Sequence, residues 1–164
     1  MENVTVRHIF LALSEGLPVH EVRETTALKG QGLSGDRYAS GTGAFSNAVR
    51  KTIRQVSLIA YAAVEAANKK AEIPFQPGDT RRNIVLDGIS ADELNDLVGK
   101  TFWVGEALLK GIEKCTPCDR PSKLSGKQGF KGAFENHGGL RAEVIETGII
   151  RVGDSLEMTK DSSW

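Results

Sequence analysis

Cysteine, histidine and aromatic residues are scarce in this chain. Two cysteines and three histidines occur in 164 residues, and aromatic side chains make up 6%. The two thiols, Cys115 and Cys118, lie three positions apart. A disulfide between them would close a very short loop and constrain the unfolded chain little. So few ligands also starve a structural zinc site, which takes four at matched spacing. A charge excess is missing as well, because 21 basic and 21 acidic residues cancel. Nucleic-acid modules draw much of their affinity from a basic excess facing phosphates, so no nucleic-acid partner is expected. No stretch approaches the ~20 apolar residues of a membrane helix. The opening residues Met1-Glu2-Asn3-Val4-Thr5-Val6 lack the basic and apolar blocks of a signal peptide. The expectation is a cytoplasmic protein with reduced thiols and no membrane partner.

What the chain does contain is a globular balance, 40% hydrophobic and 26% charged. Its length suits a single domain, residues 1–164, with a core over about 4–158 and a frayed polar tail at 159–164. Val4 to Leu13 and Val19 to Thr26 read as strands, followed by glycine-dense loops at Gly30, Gly32, Gly35, Gly41 and Gly43. Ser57 to Ala71 reads as a helix capped by Ser57, with Leu58, Ile59, Ala62 and Ala66 at helical spacing. Ser90-Ala91-Asp92-Glu93 is a capping box opening a second helix, stopped by Gly99. Ile84 to Leu86, Thr101 to Val104, Ala107 to Ile112, Gly139 to Thr147, Ile149 to Val152 and Ser155 to Met158 read as strands. Many short strands with two helices predict a mainly β fold, a closed or nearly closed barrel, and not an alternating α/β sheet.

Three segments carry candidate chemistry. Cys115-Thr116-Pro117-Cys118 admits a zinc half-site, a thioredoxin-like dithiol or two buried small hydrophobes. Pro117 and the charged neighbours Lys114, Asp119 and Arg120 argue against full burial, and nearby cations favour the thiolate, the form that attacks electrophiles and ligates soft metals. In Thr80-Arg81-Arg82-Asn83, extended backbone would put Arg81 and Asn83 on one face and Arg82 on the other. A guanidinium beside an amide suits a phosphate or a polar heterocycle; exposed strand-edge charges are the bland alternative. Gly32-Leu33-Ser34-Gly35-Asp36-Arg37 is a weaker phosphate-loop candidate, and Gly138-Gly139-Leu140-Arg141 a turn before a strand. Arg50, Lys51 and Arg54 form a basic run, for which a solvated face is the default reading.

Taken in order, GLSGDR, RQVSLI, RRNIVLDG, CTPC and GGLRAEVIETGIIRVGD resemble the MOSC domain, the C-terminal module of molybdenum cofactor sulfurases, over about residues 4–158. The chain is similar to the short stand-alone bacterial members. That resemblance implies a closed β-barrel of MOSC type with a few short helices. It implies that Cys118, the second cysteine of the pair, is the working thiol, as molybdenum ligand or persulfide acceptor. It implies that Arg81 and Asn83 hold the phosphate of molybdopterin, with Gly35, Asp36 and Arg37 assisting. The function implied is molybdenum cofactor binding or sulfur carriage. Alternatives are a non-catalytic carrier that delivers cofactor or sulfur to a partner enzyme, and a thiol-redox protein using both cysteines. A cysteine desulfurase or a molybdoenzyme would be the partner, and pyridoxal phosphate would take part only through such a desulfurase.

Overall fold

Alternating burial builds the first strand, β1 (Thr5–Leu11), in which Val6, Ile9 and Leu11 face the core. The step of three between Val6 and Ile9 breaks strict alternation, and a bulge between Val6 and His8 in the pairing with the sixth strand accounts for it. The computed structural model describes residues 3–41, 54–71 and 73–160. Arg50, Lys51, Gly43 and the last four residues of the expected tail lie outside those ranges.

The stretch from Val19 to Thr26, expected as one strand, is divided. β2 (His20–Val22) pairs with β1, whereas β3 (Glu24–Leu28) leaves for a second sheet with β4 (Gly32–Leu33). The expected helix over Ser57 to Ala71 is also divided. Its first part is β5 (Val56–Ala60), and only α1 (Tyr61–Asn68) is helical. Leu58, Ile59 and Ala60 are all completely buried, so this central strand shows an unbroken apolar run, a pattern that periodicity cannot tell from a buried helix. Ser57 is not a cap; the residue before α1 is Ala60, with no side-chain bond.

A 3₁₀ turn at Pro77–Thr80 feeds β6 (Ile84–Asp87). α2 (Ala91–Asn95) opens on the Ser90 capping box as expected: the Glu93 amide donates to Ser90 Oγ (3.1 Å) and the Ser90 amide to Glu93 Oε1 (3.1 Å). Its end comes earlier than expected, at Asn95 with Asp96 as cap, and Gly99 instead donates to the Gly111 carbonyl. β7 (Thr101–Val104), β8 (Ala107–Lys114), β9 (Leu140–Glu146), β10 (Gly148–Arg151) and β11 (Leu156–Met158) complete the strands. Two short helices that the pattern did not announce, α3 (Arg120–Ser125) and α4 (Phe130–Ala133), follow the cysteines. They rest on a buried aromatic cluster of Phe75, Phe130 and Phe134, with ring centroids 4.5–5.9 Å apart.

The sheet is open, and this corrects the expected barrel. Eight strands run in the order β11-β7-β8-β9-β5-β6-β1-β2, and β10-β3-β4 form a separate three-stranded sheet. β5 and β6 are parallel; the other pairs in the large sheet are antiparallel. Closure needs a ladder between the outer strands with a consistent stagger. Here the outermost strands, β2 and β11, are three residues each, and β1 meets the approach to β11 only through an isolated Thr5–Ser155 bridge and neighbouring backbone bonds. The chain is mainly β with few helices, as expected; β10 and β3 pair with each other in the small sheet and not with strands of the large one.

Candidate functional site

Registers across the sheet place the sequence candidates at one end of it. Ser57 pairs with Arg141, and Arg141 with Glu113, so β5, β9 and β8 present these three residues in a row. β6 is parallel to β5, so the residues just before it, Arg81 to Asn83, lie at the same level, and the Asn83 amide donates to the Ser57 carbonyl (3.1 Å). β1 is antiparallel to β6, so its exit toward Glu15 and Gly16 arrives there too. The cysteines follow directly from the end of β8.

These segments enclose a cleft of about 510 Å³. Among the described residues, seven cationic side chains line it (Arg37, Arg54, Arg81, Arg82, Lys114, Arg120 and Arg141) against two carboxylates, Glu15 and Glu113. In a chain of zero net charge, that concentration marks a site for anions and not a general property of the surface. Cys115 and Cys118 both border the cleft, with Tyr38, Ser57 and Asn83. Cys115 is buried and Cys118 is exposed.

Arg81 is the most constrained of the cations. It caps the 3₁₀ turn with φ 60° and ψ 18°, a left-handed conformation that is costly for a side chain of this size. Its Nη1 donates to the Leu17 carbonyl (2.8 Å), and its own carbonyl accepts from Arg37 Nη2 (3.2 Å). Burial, then the neighbouring Arg37 and Arg120 guanidiniums, lower its pKa to about 10. The group is therefore charged at neutral pH and held under repulsion that a bound anion would relieve. Burial and then Arg141 similarly lower the pKa of Arg54.

Asn83 borders the cleft, but its side chain is engaged in the fold. Its Oδ1 accepts from the Ser57 amide (3.0 Å) and Ser57 Oγ (3.2 Å), and its Nδ2 donates to the Phe10 carbonyl (3.0 Å). One buried amide thus ties β5 and β1 to the start of β6. Asn83→Ala would leave these groups without their partner, and a loss of about 2–3 kcal/mol in urea unfolding is the expected outcome; a loss below about 0.5 kcal/mol would remove the structural role.

Arg82 does not turn away, contrary to the strand-alternation argument. Arg81 is left-handed and β6 begins only at Ile84, so no extended backbone spans these residues. Arg82 Nε donates to the Gly138 carbonyl (2.7 Å), its Nη1 to the Thr80 carbonyl (3.3 Å), and its guanidinium lies 5.9 Å from the Phe130 ring centre. Gly138 in turn packs on the cysteine turn: a Cβ there would come within 2.6 Å of the Cys115 carbonyl oxygen. Arg82 therefore clasps the arginine turn to the cysteine turn. Lysine lacks the planar fork that reaches both carbonyls, and Arg82→Lys should cost about 1 kcal/mol of stability in urea unfolding.

The glycine-rich candidate splits. Arg37 lines the cleft, whereas Gly35 and Asp36 do not. Asp36 is completely buried behind Arg37, accepting from its Nη1 (3.0 Å) and from the Ala12 amide (3.1 Å). Its role is to hold Arg37 and the exit of β1. The sequence carries no local signal for Tyr38 or Glu113, and Ser57, expected as a helix cap, lies instead in β5; the register shift in β8 between Gly111 and Glu113 breaks the alternation that would have marked Glu113. Among the described residues, no cluster of three or more His, Cys, Asp or Glu side chains is arranged to hold a metal ion. No helix among them is long and apolar enough to cross a membrane.

Fold and cleft together define a small, mainly β domain carrying one exposed thiol beside a cationic cleft. The MOSC domain profile matches residues 20–157, and the chain belongs to the MOSC domain family. Among solved structures, the YuaD protein of Bacillus subtilis superposes with a TM-score of 0.79 at 17% identity, covering 94% of each chain. YiiM of Geobacillus stearothermophilus gives 0.72 at 15% identity over 96% of this chain and 75% of that one. YiiM of Escherichia coli gives 0.67 at 19% identity over 98% and 71%. At these identities the likeness is one of fold. No curated protein sequence matches the chain.

Proposed function

We propose that the cleft binds a phosphorylated pterin of the molybdenum cofactor type, with Cys118 as the thiolate that meets its metal. The observation that carries this reading is the exposed Cys118 on a cleft lined by seven cations. The residues present fit such a group. With no protein cluster able to hold a bare ion among the described residues, a metal would arrive already ligated and need only one thiolate from the chain. Bound molybdenum would supply oxygen- or sulfur-transfer chemistry. The chain's own contribution is to hold the phosphate by Arg81, with Arg37 and Arg120 adding positive potential, and to present the Cys118 thiolate.

Exposure of Cys118 favours a second reading, sulfur carriage. The thiolate would attack the terminal sulfur of a partner desulfurase persulfide, forming Cys118–S–SH and releasing the partner's cysteine thiolate after proton exchange. A partner can reach an exposed thiol directly, and the carrier need not turn over any substrate itself. Any pyridoxal phosphate would belong to that desulfurase.

The test of the anion site is Arg81→Lys. Guanidinium contacts to phosphate are bidentate and lysine is a point charge, so phosphate affinity by calorimetry should fall by about tenfold, roughly 1.4 kcal/mol. Unchanged affinity would remove Arg81 from the site. The pH dependence has a definite sign. Bound phosphate favours the charged arginine and raises its lowered pKa, so once the phosphate is fully dianionic, on the alkaline side of neutrality, affinity should be level and then fall as pH rises through about 10, with proton uptake on binding in that upper range.

A further inference from the structure

The cations of the cleft are divided into two groups, and the cysteine turn runs from one to the other. At one pole Arg37 donates to the Arg81 carbonyl, Arg81 to the Leu17 carbonyl, and Arg120 to Glu15 (3.2 Å). At the other, Arg141 pairs with Glu113 across the β8–β9 ladder, Lys114 follows Glu113 and is exposed, and Arg54 enters β5 beside them. The cationic neighbours agree with this division: Arg81 feels Arg37 and Arg120, whereas Arg54 feels Arg141, and Tyr38 acts on both. Cys118 lines the same cleft and lies between the two groups in chain order. Lys114 and Cys115 belong to the second pole and Arg120 to the first, so Cys118 lies on the stretch that joins them. Arg82 anchors the underside of that stretch through Gly138.

We infer that the cleft takes a ligand with two separated anionic groups, one at each pole, whose middle passes over Cys118. A ligand with a single phosphate would leave one pole uncompensated; a second phosphate or a carboxylate at the far end would satisfy both. This rests on the cleft being the binding site proposed above and narrows the class of ligand it takes.

The experiment compares methylphosphonate with α,ω-bisphosphonates of increasing chain length on the intact protein, by calorimetry and by protection of Cys118 from iodoacetamide. Affinity should rise to a maximum at one chain length, about tenfold or more above methylphosphonate, and fall for longer chains. At that length the bisphosphonate should protect Cys118 and methylphosphonate should not. Arg54→Gln with Arg141→Gln should collapse the bisphosphonate advantage to about twofold, the value for two equivalent ends on one site. The exposed Lys114→Gln, which removes no ion pair among the described residues, should reduce it as well, and keeps the test open if the double variant folds poorly. Affinity that tracks charge alone, flat with chain length, would overturn the inference, as would an advantage that survives loss of the second pole. Failure of the pterin reading is separable: a length optimum in a protein that never acquires pterin leaves the two-pole site standing and removes the cofactor. Pterin loading without a length optimum does the reverse.

Discussion

Cys118→Ser should abolish metal and persulfide loading, while Cys115→Ser should keep most of it. The asymmetry follows from placement. Cys115 is buried, with its amide bonded to the Gly139 carbonyl (2.8 Å), whereas Cys118 is exposed at the cleft. Reaction with iodoacetamide should accordingly be confined to Cys118 in the folded protein, with Cys115 labelled only after unfolding, a difference of a hundredfold or more in rate for roughly 3 kcal/mol of protection. The serine variants read the same contrast as loading of molybdenum or of sulfane sulfur. Equal loss in both variants would instead describe a working dithiol, and a thiol-redox protein.

Gly139→Ala should destabilise the fold by about 3 kcal/mol or more, among the largest effects of any single methyl group in the chain. Gly139 sits at φ +107°, outside the range of ordinary side chains. A Cβ built there falls on the Leu58 carbonyl oxygen, which belongs to the central strand and cannot swing aside. Leu58 pairs with Leu140 in the β5–β9 ladder, so the methyl group would force these strands apart beneath the cleft. Urea unfolding should show a lower midpoint, and the surviving native protein should label faster at Cys115 as the cysteine turn loses its anchor on Gly139. A midpoint within experimental error of the parent would mean that the two strands can separate without cost.

Local chemistry was legible where it is self-contained. The Ser90–Glu93 capping box and the β7–β8 hairpin stand where the residues placed them. Tertiary context decided the rest. Leu58 to Ala60 form a strand because it is covered on both faces, a fact absent from the local pattern. The i, i+2 rule failed at Arg81 because the residue is left-handed, which leaves Arg82 in the cleft and the Asn83 amide in the fold. The barrel failed because closure is a property of the outermost strands, and β2 and β11 are too short to supply a ladder. In the candidate site, Arg81, Arg37 and Cys118 line one cleft, whereas Gly35 and Asp36 lie outside its lining. The glycine-rich motif marks a support for Arg37, and sequence spacing could not separate support from lining.

The most direct test is to purify the chain anaerobically from cells that make molybdenum cofactor and to measure molybdenum together with the fluorescence of the oxidised pterin. The cationic cleft with its exposed thiol predicts both, with pterin reduced in Arg81→Lys and molybdenum lost in Cys118→Ser. Protein from the same cells that carries neither molybdenum nor pterin, while Cys118 remains free to alkylate, would contradict it.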